Sequence, residues 1–218
     1  MIITLDGPAG AGKSTVARAL ARRLGFRFLD TGAMYRAVAL AGMRQGVDWH
    51  QPQQLAQLAE KLDIQVSGEK VFLDGEDVTE AVRTSEVTAV TRYAADNPQV
   101  RRLLVGLQRA AAVGSDIVTE GRDQGTVVFP QAECKIFLTA GPQERAQRRL
   151  RDLRAQGEPA TLEEVLSALQ RRDREDSSRA VGPLTAAPDA VQVSTDGLTV
   201  EEVVERLASL ARSRYPTR

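Results

Sequence analysis

The sequence predicts an α/β fold: a five-stranded parallel sheet with helices on both faces, a lid and a small inserted antiparallel β subdomain. Five short apolar runs separated by helical patterns support this prediction, because strands that alternate with helices form parallel sheets. The runs are residues 2–5, 26–29, 116–119, 135–138 and 190–193. A length of 218 residues suits a single domain spanning 1–218.

The first apolar run leads directly into a glycine-rich loop. The loop reads Gly7-Pro8-Ala9-Gly10-Ala11-Gly12-Lys13-Ser14-Thr15, and a helix is predicted from Ser14 to Leu24. Between a strand and a helix, such a loop directs backbone N–H groups at phosphate oxygens. Lys13 adds a positive charge and Ser14 offers a hydroxyl to Mg²⁺. We therefore predict a P-loop NTPase-type fold that binds a nucleoside triphosphate.

Residues 63–82 break the alternation of strands and helices. Their apolar residues surround two turn signals, Ser67-Gly68 and Asp74-Gly75. This pattern predicts an antiparallel hairpin unit, which we interpret as a mobile subdomain over one side of the site, within an insert of about residues 36–110. A plain surface hairpin without a role in catalysis is the alternative.

Three later helices have clear start signals. Asn97-Pro98 predicts a helix that continues through Ala112, and residues 161–164 and 199–202 have the capping-box spacing.

The helix after Thr161 has an apolar stripe at Val165 and Leu169. If that helix persists, the stripe continues through the ionisable residues Arg172, Asp176 and Arg179, which would form a polar binding wall. Fraying near Ser177-Ser178 with solvated arginines is the alternative.

Residues 142–160 form the predicted lid, with a hinge at Gln156-Gly157-Glu158-Pro159. Arg145, Arg148 and Arg149 lie on one face of its helix. Arginines on a closing lid can stabilise the charge that develops during phosphoryl transfer. A solvated helix face is the alternative.

Composition and charge exclude several classes of protein. The net charge is zero, so we expect no nucleic-acid partner. The sequence has no apolar run of about 18 residues, so we expect no membrane span, and its first strand leaves no room for a secretory signal. Cys134 is the only cysteine and lies in an apolar run, so we expect a core residue and a cytoplasmic protein.

Five segments, taken together, resemble the bacterial cytidylate kinases: residues 7–15, 30–36, 121–130, 145–149 and 172–184. The resemblance implies a core, a lid and a monophosphate-binding insert. It also implies transfer of the γ-phosphoryl group of ATP to CMP or dCMP with Mg²⁺. No general base is required, because the acceptor phosphate is already largely ionised near pH 7. We expect in-line transfer by a monomer whose partners are these small-molecule nucleotides.

The resemblance also implies roles for individual residues. Lys13, Arg122, Arg145 and Arg149 would be catalytic, residues 7–15 would hold ATP, and Ser14 would hold the metal. The residues implied to bind the acceptor are Thr31, Tyr35, Arg36, Arg101, Arg122, Asp123, Arg172, Asp176 and Arg179. Among them, Arg101 and Asp123 would read the base, since a carboxylate complements the amino group of cytosine.

Two departures from the family pattern affect this assignment. Thr91-Arg92 stands where similar kinases usually place a serine against the base, and Gln124 replaces an apolar residue.

Two rival functions also remain. A GTPase switch would need a guanine-reading Asn-Lys-x-Asp run, which this sequence lacks. A kinase for another acceptor, such as AMP, UMP or shikimate, is the second rival.

Overall fold

The computed structural model of the protein describes residues 1–155 and 157–214. The chain forms two compact units: one contains Met1–Phe26 and the residues from Asp116 onward, and the other is Arg27–Ser115. Gln156 of the predicted lid and hinge lies outside the described residues.

Helices and strands follow one another along most of the chain. In order they are β1 (Ile2–Asp6), α1 (Lys13–Leu24), β2 (Arg27–Asp30), α2 (Thr31–Arg44), α3 (Pro52–Ala59), β3 (Ile64–Ser67), β4 (Lys70–Leu73), β5 (Glu76–Asp77), α4 (Ser85–Ala95), α5 (Pro98–Ala112), β6 (Ile117–Gly121), β7 (Cys134–Thr139), α6 (Pro142–Ala155), α7 (Leu162–Ser177), β8 (Val191–Ser194) and α8 (Val200–Arg214). A 3₁₀ turn at Ala81–Arg83 precedes α4, and a π-helical turn at Gln124–Val128 follows β6.

The larger sheet has five strands in the order β2-β6-β1-β7-β8, which confirms the predicted fold class. β1 pairs in parallel with β6 and β7, and β7 pairs in parallel with β8. Ile3 and Leu5 of the central strand are fully buried. Continuous apolar strands of this kind are typical of a parallel sheet that is covered on both faces.

The register of β1 and β6 brings the start of the phosphate-binding loop and the segment before the predicted site residues Arg122 and Asp123 to the same edge of the sheet. Leu5 lies beside Glu120, and Asp6 lies beside Gly121. The phosphate-binding loop therefore begins next to the Glu120–Asp123 segment. The carboxyl ends of parallel strands are the usual location of ligands in α/β proteins.

The second unit contains the predicted antiparallel sheet, which has three strands. β3 pairs with β4, and β4 pairs with β5. The turn at Asp74-Gly75 is fixed by a reciprocal pair of bonds: the Asp74 N–H donates to the Asp63 carbonyl at 2.8 Å, and the Asp63 N–H donates to Asp74 Oδ1 at 2.8 Å. The antiparallel subdomain is thus confirmed, whereas its mobility and its role over the site stay predictions.

Helix α2 runs through the core of the second unit and packs against α4. A side chain on Gly42 of α2 would place its Cβ 2.8 Å from the ring of Trp49, so only glycine lets the indole approach the helix backbone this closely. The Trp49 ring also stacks on Tyr93 of α4, with ring centroids 5.2 Å apart. Within this unit, Trp49 joins α2 to α4.

The predicted helix starts are confirmed by their capping contacts. Asn97 Oδ1 accepts the N–H groups of Gln99 and Val100 at the start of α5. Thr161 and Glu164 form a complete capping box on α7. Thr199 and Glu202 exchange the same two bonds on α8.

Among the described residues, no helix combines the length and the apolar character that a membrane span needs.

Candidate active site

The phosphate-binding loop connects β1 to α1 and packs closely on its neighbours. A Cβ on Gly7 would lie 2.1 Å from the carbonyl oxygen of Leu138, and a Cβ on Gly10 would lie 3.1 Å from the Cβ of Arg145. Gly7 and Gly10 also have φ values of 150° and 77°, which L side chains rarely adopt. The path of the loop therefore requires glycine at both positions.

Lys13 is buried at the start of α1, and its Nζ donates to the carbonyl oxygen of Pro8 at 2.8 Å. Burial, together with the positive charges of Arg122 and Arg172, lowers the pKa of Lys13 to about 7. Glu120 and Asp176 oppose this shift. A bound polyphosphate would favour the charged ammonium, because an opposite charge nearby stabilises it.

Ser14 and Glu120 place two oxygen groups beside the loop. The Ser14 hydroxyl donates to Glu120 Oε1 at 2.9 Å, and Glu120 is 5% exposed at the end of β6. A hydroxyl and a carboxylate are the hard ligands that Mg²⁺ prefers, so these residues fit the metal that the family implies. No group of three potential ligands from His, Cys, Asp and Glu occurs in the part of the chain that the structure describes.

A buried carboxylate joins two of the predicted arginines. Arg122 Nε donates to Asp176 Oδ2 at 2.7 Å, and Arg179 Nη2 lies 2.5 Å from Asp176 Oδ1. Burial by itself would raise the pKa of Asp176, but Arg122, Arg179 and Arg172 together hold it below its usual value. The cluster therefore stays ionised and keeps two planar guanidinium groups in a fixed arrangement, which suits an anionic ligand.

In the predicted polar stripe of α7, Asp176 is buried, whereas Arg172 is exposed but close enough for its charge to lower the pKa of Asp176. The helix ends at Ser177, and Arg179 follows it with a side chain that is 11% exposed. Arg172 is exposed, and Asp173 is half-buried in its place. A stripe can continue at either i+3 or i+4, so the spacing after Leu169 does not choose between these two neighbours.

Sequence reasoning missed Asp6, which organises the segment after Asp123. Asp6 Oδ1 accepts the N–H of Gln124, and Oδ2 accepts the N–H of Gly125, both at 2.8 Å. The buried Gln124 also pairs with the Thr119 hydroxyl at 2.9 Å. Both side chains therefore shape the π-helical turn that follows Asp123. An acidic residue directly before the first loop glycine was the available signal.

Helix α6, which lies in the predicted lid, holds its arginines in different ways. Arg145 is buried and donates from Nε to the Ala140 carbonyl and from Nη1 to the Ala9 carbonyl. Arg148 donates to the hydroxyl and the carbonyl of Thr195 at 2.7 and 3.0 Å. Arg149 is half-buried. The contact of Arg145 and Arg149 with a transferring phosphate stays a prediction.

The second unit, described by itself, brings together four of the predicted residues. Asp30 caps α2 by accepting the N–H of Ala33 at 2.9 Å, next to Thr31. Its carboxylate also faces Arg36 at 3.6 Å. The guanidinium of the buried Arg101 lies over the ring of Tyr35, 5.6 Å from its centroid. Acidic, cationic and aromatic groups thus occur together near the start of α2.

Two further features of the second unit lie outside the expected pattern. Arg83 faces the other oxygen of Asp30 at 3.9 Å, a contact that no sequence motif indicated. Thr91, which stands at the departure from the family pattern, donates its hydroxyl to the Val87 carbonyl at 2.7 Å, and Arg92 lies over the Tyr93 ring. In this structure the Thr91 hydroxyl is therefore hydrogen-bonded to the backbone of its own helix.

Residues 3–213 match the family model for cytidylate kinase. The chain belongs to the cytidylate kinase family. A cytidylate kinase from Rhodopirellula baltica is 52% identical over 97% of this chain and 93% of that protein. A second cytidylate kinase, from Caldanaerobacter subterraneus subsp. tengcongensis, is 47% identical over 96% of this chain and 94% of that protein. The resemblance predicted from the five segments is confirmed.

A solved shikimate kinase from Bacteroides thetaiotaomicron has a related fold. Its TM-score to this chain is 0.51 at 15% identity, and the match covers 97% of this chain and 98% of that one. This likeness shows that the two proteins share a fold and supports no conclusion beyond it. Membership of the cytidylate kinase family identifies the chain as a kinase that phosphorylates a nucleoside monophosphate.

Proposed function

We propose that the protein transfers the γ-phosphoryl group of ATP to CMP or dCMP and releases ADP with CDP or dCDP. One observation carries the proposal furthest: Ser14 of the phosphate-binding loop bonds to Glu120 at 2.9 Å, two positions before Arg122, which bonds to Asp176 at 2.7 Å. The loop proposed to bind the donor phosphates thus lies beside the cluster proposed to bind the acceptor. Phosphoryl transfer needs both nucleotides close together, with their repulsion neutralised.

On the donor side, residues 7–15 form the site for the phosphates of ATP, which the loop N–H groups after Ala9 and the ammonium of Lys13 bind. Ser14, supported by Glu120, would hold Mg²⁺. Mg²⁺ supplies charge neutralisation on the phosphate oxygens. Arg122 and Arg149 stabilise the transferring group from the protein side. Arg145 holds the loop in position through Ala9, and its direct contact with phosphate is part of the same proposal.

On the acceptor side, Arg122, Arg179 and Arg36 bind the monophosphate, while Arg172 and Asp176 bind the sugar hydroxyls. Thr31 and Tyr35 complete the acceptor set. The monophosphate is itself the nucleophile, and it is largely ionised near pH 7. No side chain therefore has to remove a proton. The contribution of the protein is alignment, charge stabilisation and exclusion of water.

Selection of cytosine is proposed to depend on Asp123 and Arg101. A carboxylate accepts a hydrogen bond from the amino group of cytosine, whereas uracil presents a carbonyl at that position. Two acceptors that face each other in a buried site cost about 1–3 kcal/mol, which corresponds to roughly tenfold to a hundredfold discrimination. Asp123 is 4% exposed, so water cannot easily relieve such a mismatch.

The deciding experiment is an ADP-release assay with ATP and one acceptor at a time: CMP, dCMP, UMP, AMP and shikimate. We expect CMP and dCMP to support turnover, UMP to have at least about tenfold lower kcat/KM, and AMP and shikimate to be inactive. Activity confined to AMP or shikimate would contradict the cytidine assignment. A preference for GTP hydrolysis without any acceptor would favour a GTPase. The monomeric state and the cytoplasmic location stay predictions.

A further inference from the structure

Both backbone polar groups of Ala9, in the phosphate-binding loop, are bonded to side chains of α6 and α7. Its N–H donates to Asp173 Oδ1 at 3.2 Å, and its carbonyl accepts from Arg145 Nη1 at 2.8 Å. Arg145 Nη1 also donates to Asp173 Oδ2 at 2.5 Å. Ala9, Arg145 and Asp173 therefore form a closed ring of three contacts, which we call the Ala9 ring.

The Ala9 ring is sheltered from water. The Arg145 side chain is 7% exposed, the Asp173 side chain is 19% exposed, and Ala9 is 5% exposed. Ala9 also packs in one apolar cluster with residues of α6 and α7: Ala146, Leu150, Val165 and Leu169. Removing one member of a buried ion pair leaves the other charge unpaired, which makes such a ring sensitive to substitution.

The ring ties three elements to one another. Arg145 belongs to α6, Asp173 belongs to α7, and Ala9 lies between β1 and α1. The backbone of Gly10, the next loop residue, passes close to Arg145 because it has no Cβ. A shift of Arg145 would therefore move the part of the loop that leads to the phosphate-binding N–H groups.

We propose that Asp173 is a positioning residue for ATP binding: it fixes the phosphate-binding loop through Arg145 and Ala9. The proposal rests on the proposed function, because it assigns the loop to ATP. Asp173 contacts no substrate in this role. It acts by holding the loop ready for the triphosphate before binding, which reduces the ordering that binding would otherwise require.

Direct measurement of MgATP binding to the intact protein, without an acceptor, tests the role of Asp173. Calorimetry on wild type, Asp173→Ala and Asp173→Asn gives the dissociation constant for MgATP. We expect Asp173→Ala to weaken it at least about tenfold, which is the scale of a lost charged hydrogen bond. Asp173→Asn keeps one carbonyl oxygen and should weaken it less. Glu175→Gln, on the same helix, is the matched control for loss of one negative charge and should bind as wild type does.

Kinetics separate positioning from a purely structural role. In Asp173→Asn, we expect KM for ATP to rise while KM for CMP stays within about twofold. The double variant Arg145→Ala with Asp173→Ala should lose less MgATP affinity than the sum of the two single losses, since the two residues share the contact with Ala9. Additive losses in the double variant would overturn the route through Arg145.

Two further results would overturn the proposal itself. One is unchanged MgATP affinity in folded Asp173→Asn and Asp173→Ala together with a lower melting temperature, because this would leave only a structural ion pair. The other is an equal loss for both nucleotides. If Asp173→Ala does not fold, Asp173→Asn decides the question. A wild type that binds MgATP but phosphorylates neither CMP nor dCMP would contradict the proposed function, and the binding comparison would still decide the role of Asp173.

Discussion

At the scale of single residues, Asp6 holds the turn after Asp123 with both carboxylate oxygens, although it is buried. The pKa of Asp6 is raised from 3.8 to about 6, mainly by burial and also by the nearby charge of Asp123. The N–H groups of Gly125 and Gln124 and the charge of Lys13 act in the opposite direction. The turn is therefore held by a carboxyl group whose ionised form is disfavoured by burial.

Comparison of wild type with Asp6→Asn should show this effect as a difference in how the free energy of unfolding depends on pH. The folded wild type binds a proton on Asp6 more tightly than the unfolded chain does. Its free energy of unfolding should therefore fall, relative to that of Asp6→Asn, as pH rises from about 4 to about 6. The relative change is up to about 3 kcal/mol, from about two pKa units at 1.36 kcal/mol each. Urea unfolding of both proteins across this range measures it.

Asp189→Asn provides a control of opposite sign. Asp189 pairs with Lys135, whose hydrogen bond holds the pKa of that carboxyl below 3.8. Wild type should therefore gain stability over Asp189→Asn as pH rises toward 3.8 and should show no relative change from pH 4 to 6. A difference between wild type and Asp6→Asn that is constant from pH 4 to 6 would contradict the burial argument.

The sequence was sufficient to predict residues whose role depends on local chemistry. Lys13 and Ser14 are identified by a motif, and Cys134 is buried as its apolar surroundings indicated, with its pKa raised by burial to about 11. Asp6 and Asp173 were missed because each bonds to a backbone group more than one hundred residues away in the chain, Asp6 to Gln124 and Asp173 to Ala9. Contacts at such separation depend on the tertiary fold and leave no local pattern.

At the scale of elements, the start of α7 is fixed locally by a complete capping box. The Thr161 hydroxyl accepts the Glu164 N–H, and Glu164 Oε2 accepts the Thr161 N–H at 2.9 Å. The same helix carries Asp173 and Asp176, so its start and its functional end belong to one rigid segment. Such starts were predictable from sequence, since capping is local.

Thr161→Ala should lower the free energy of unfolding by about 1 kcal/mol, since the first turn of α7 loses an acceptor for a backbone N–H. Chemical denaturation measures the change. Thr161→Ser keeps the hydroxyl and should lie close to wild type. Equal stability of Thr161→Ala and wild type would show that packing alone holds the start of α7.

At the scale of the whole molecule, binding should stabilise the fold by mass action. MgATP at one hundred times its dissociation constant would add about 2.7 kcal/mol to wild type. Lys13→Ala should keep the fold, because burial already disfavours the charged ammonium in the free protein, as its lowered pKa shows. The MgATP-induced rise in melting temperature should be lost in this variant, and kcat should fall at least about a hundredfold.

Lys61→Ala is the matched control, because Lys61 is exposed and lies outside the proposed site. Its melting temperature should respond to MgATP as that of wild type does. A Lys13→Ala variant with the full response to MgATP and unchanged kcat would refute the role of the lysine.

Trp49 is the sole tryptophan of the chain, and it belongs to the unit formed by Arg27–Ser115. Its indole stacks on Tyr93 and touches the position of Gly42. Tryptophan fluorescence, excited at the red edge of the indole absorption band, therefore reports on that unit alone, without any attached dye. A stopped-flow trace could then follow events around α2 and α4 separately from changes at the phosphate-binding loop.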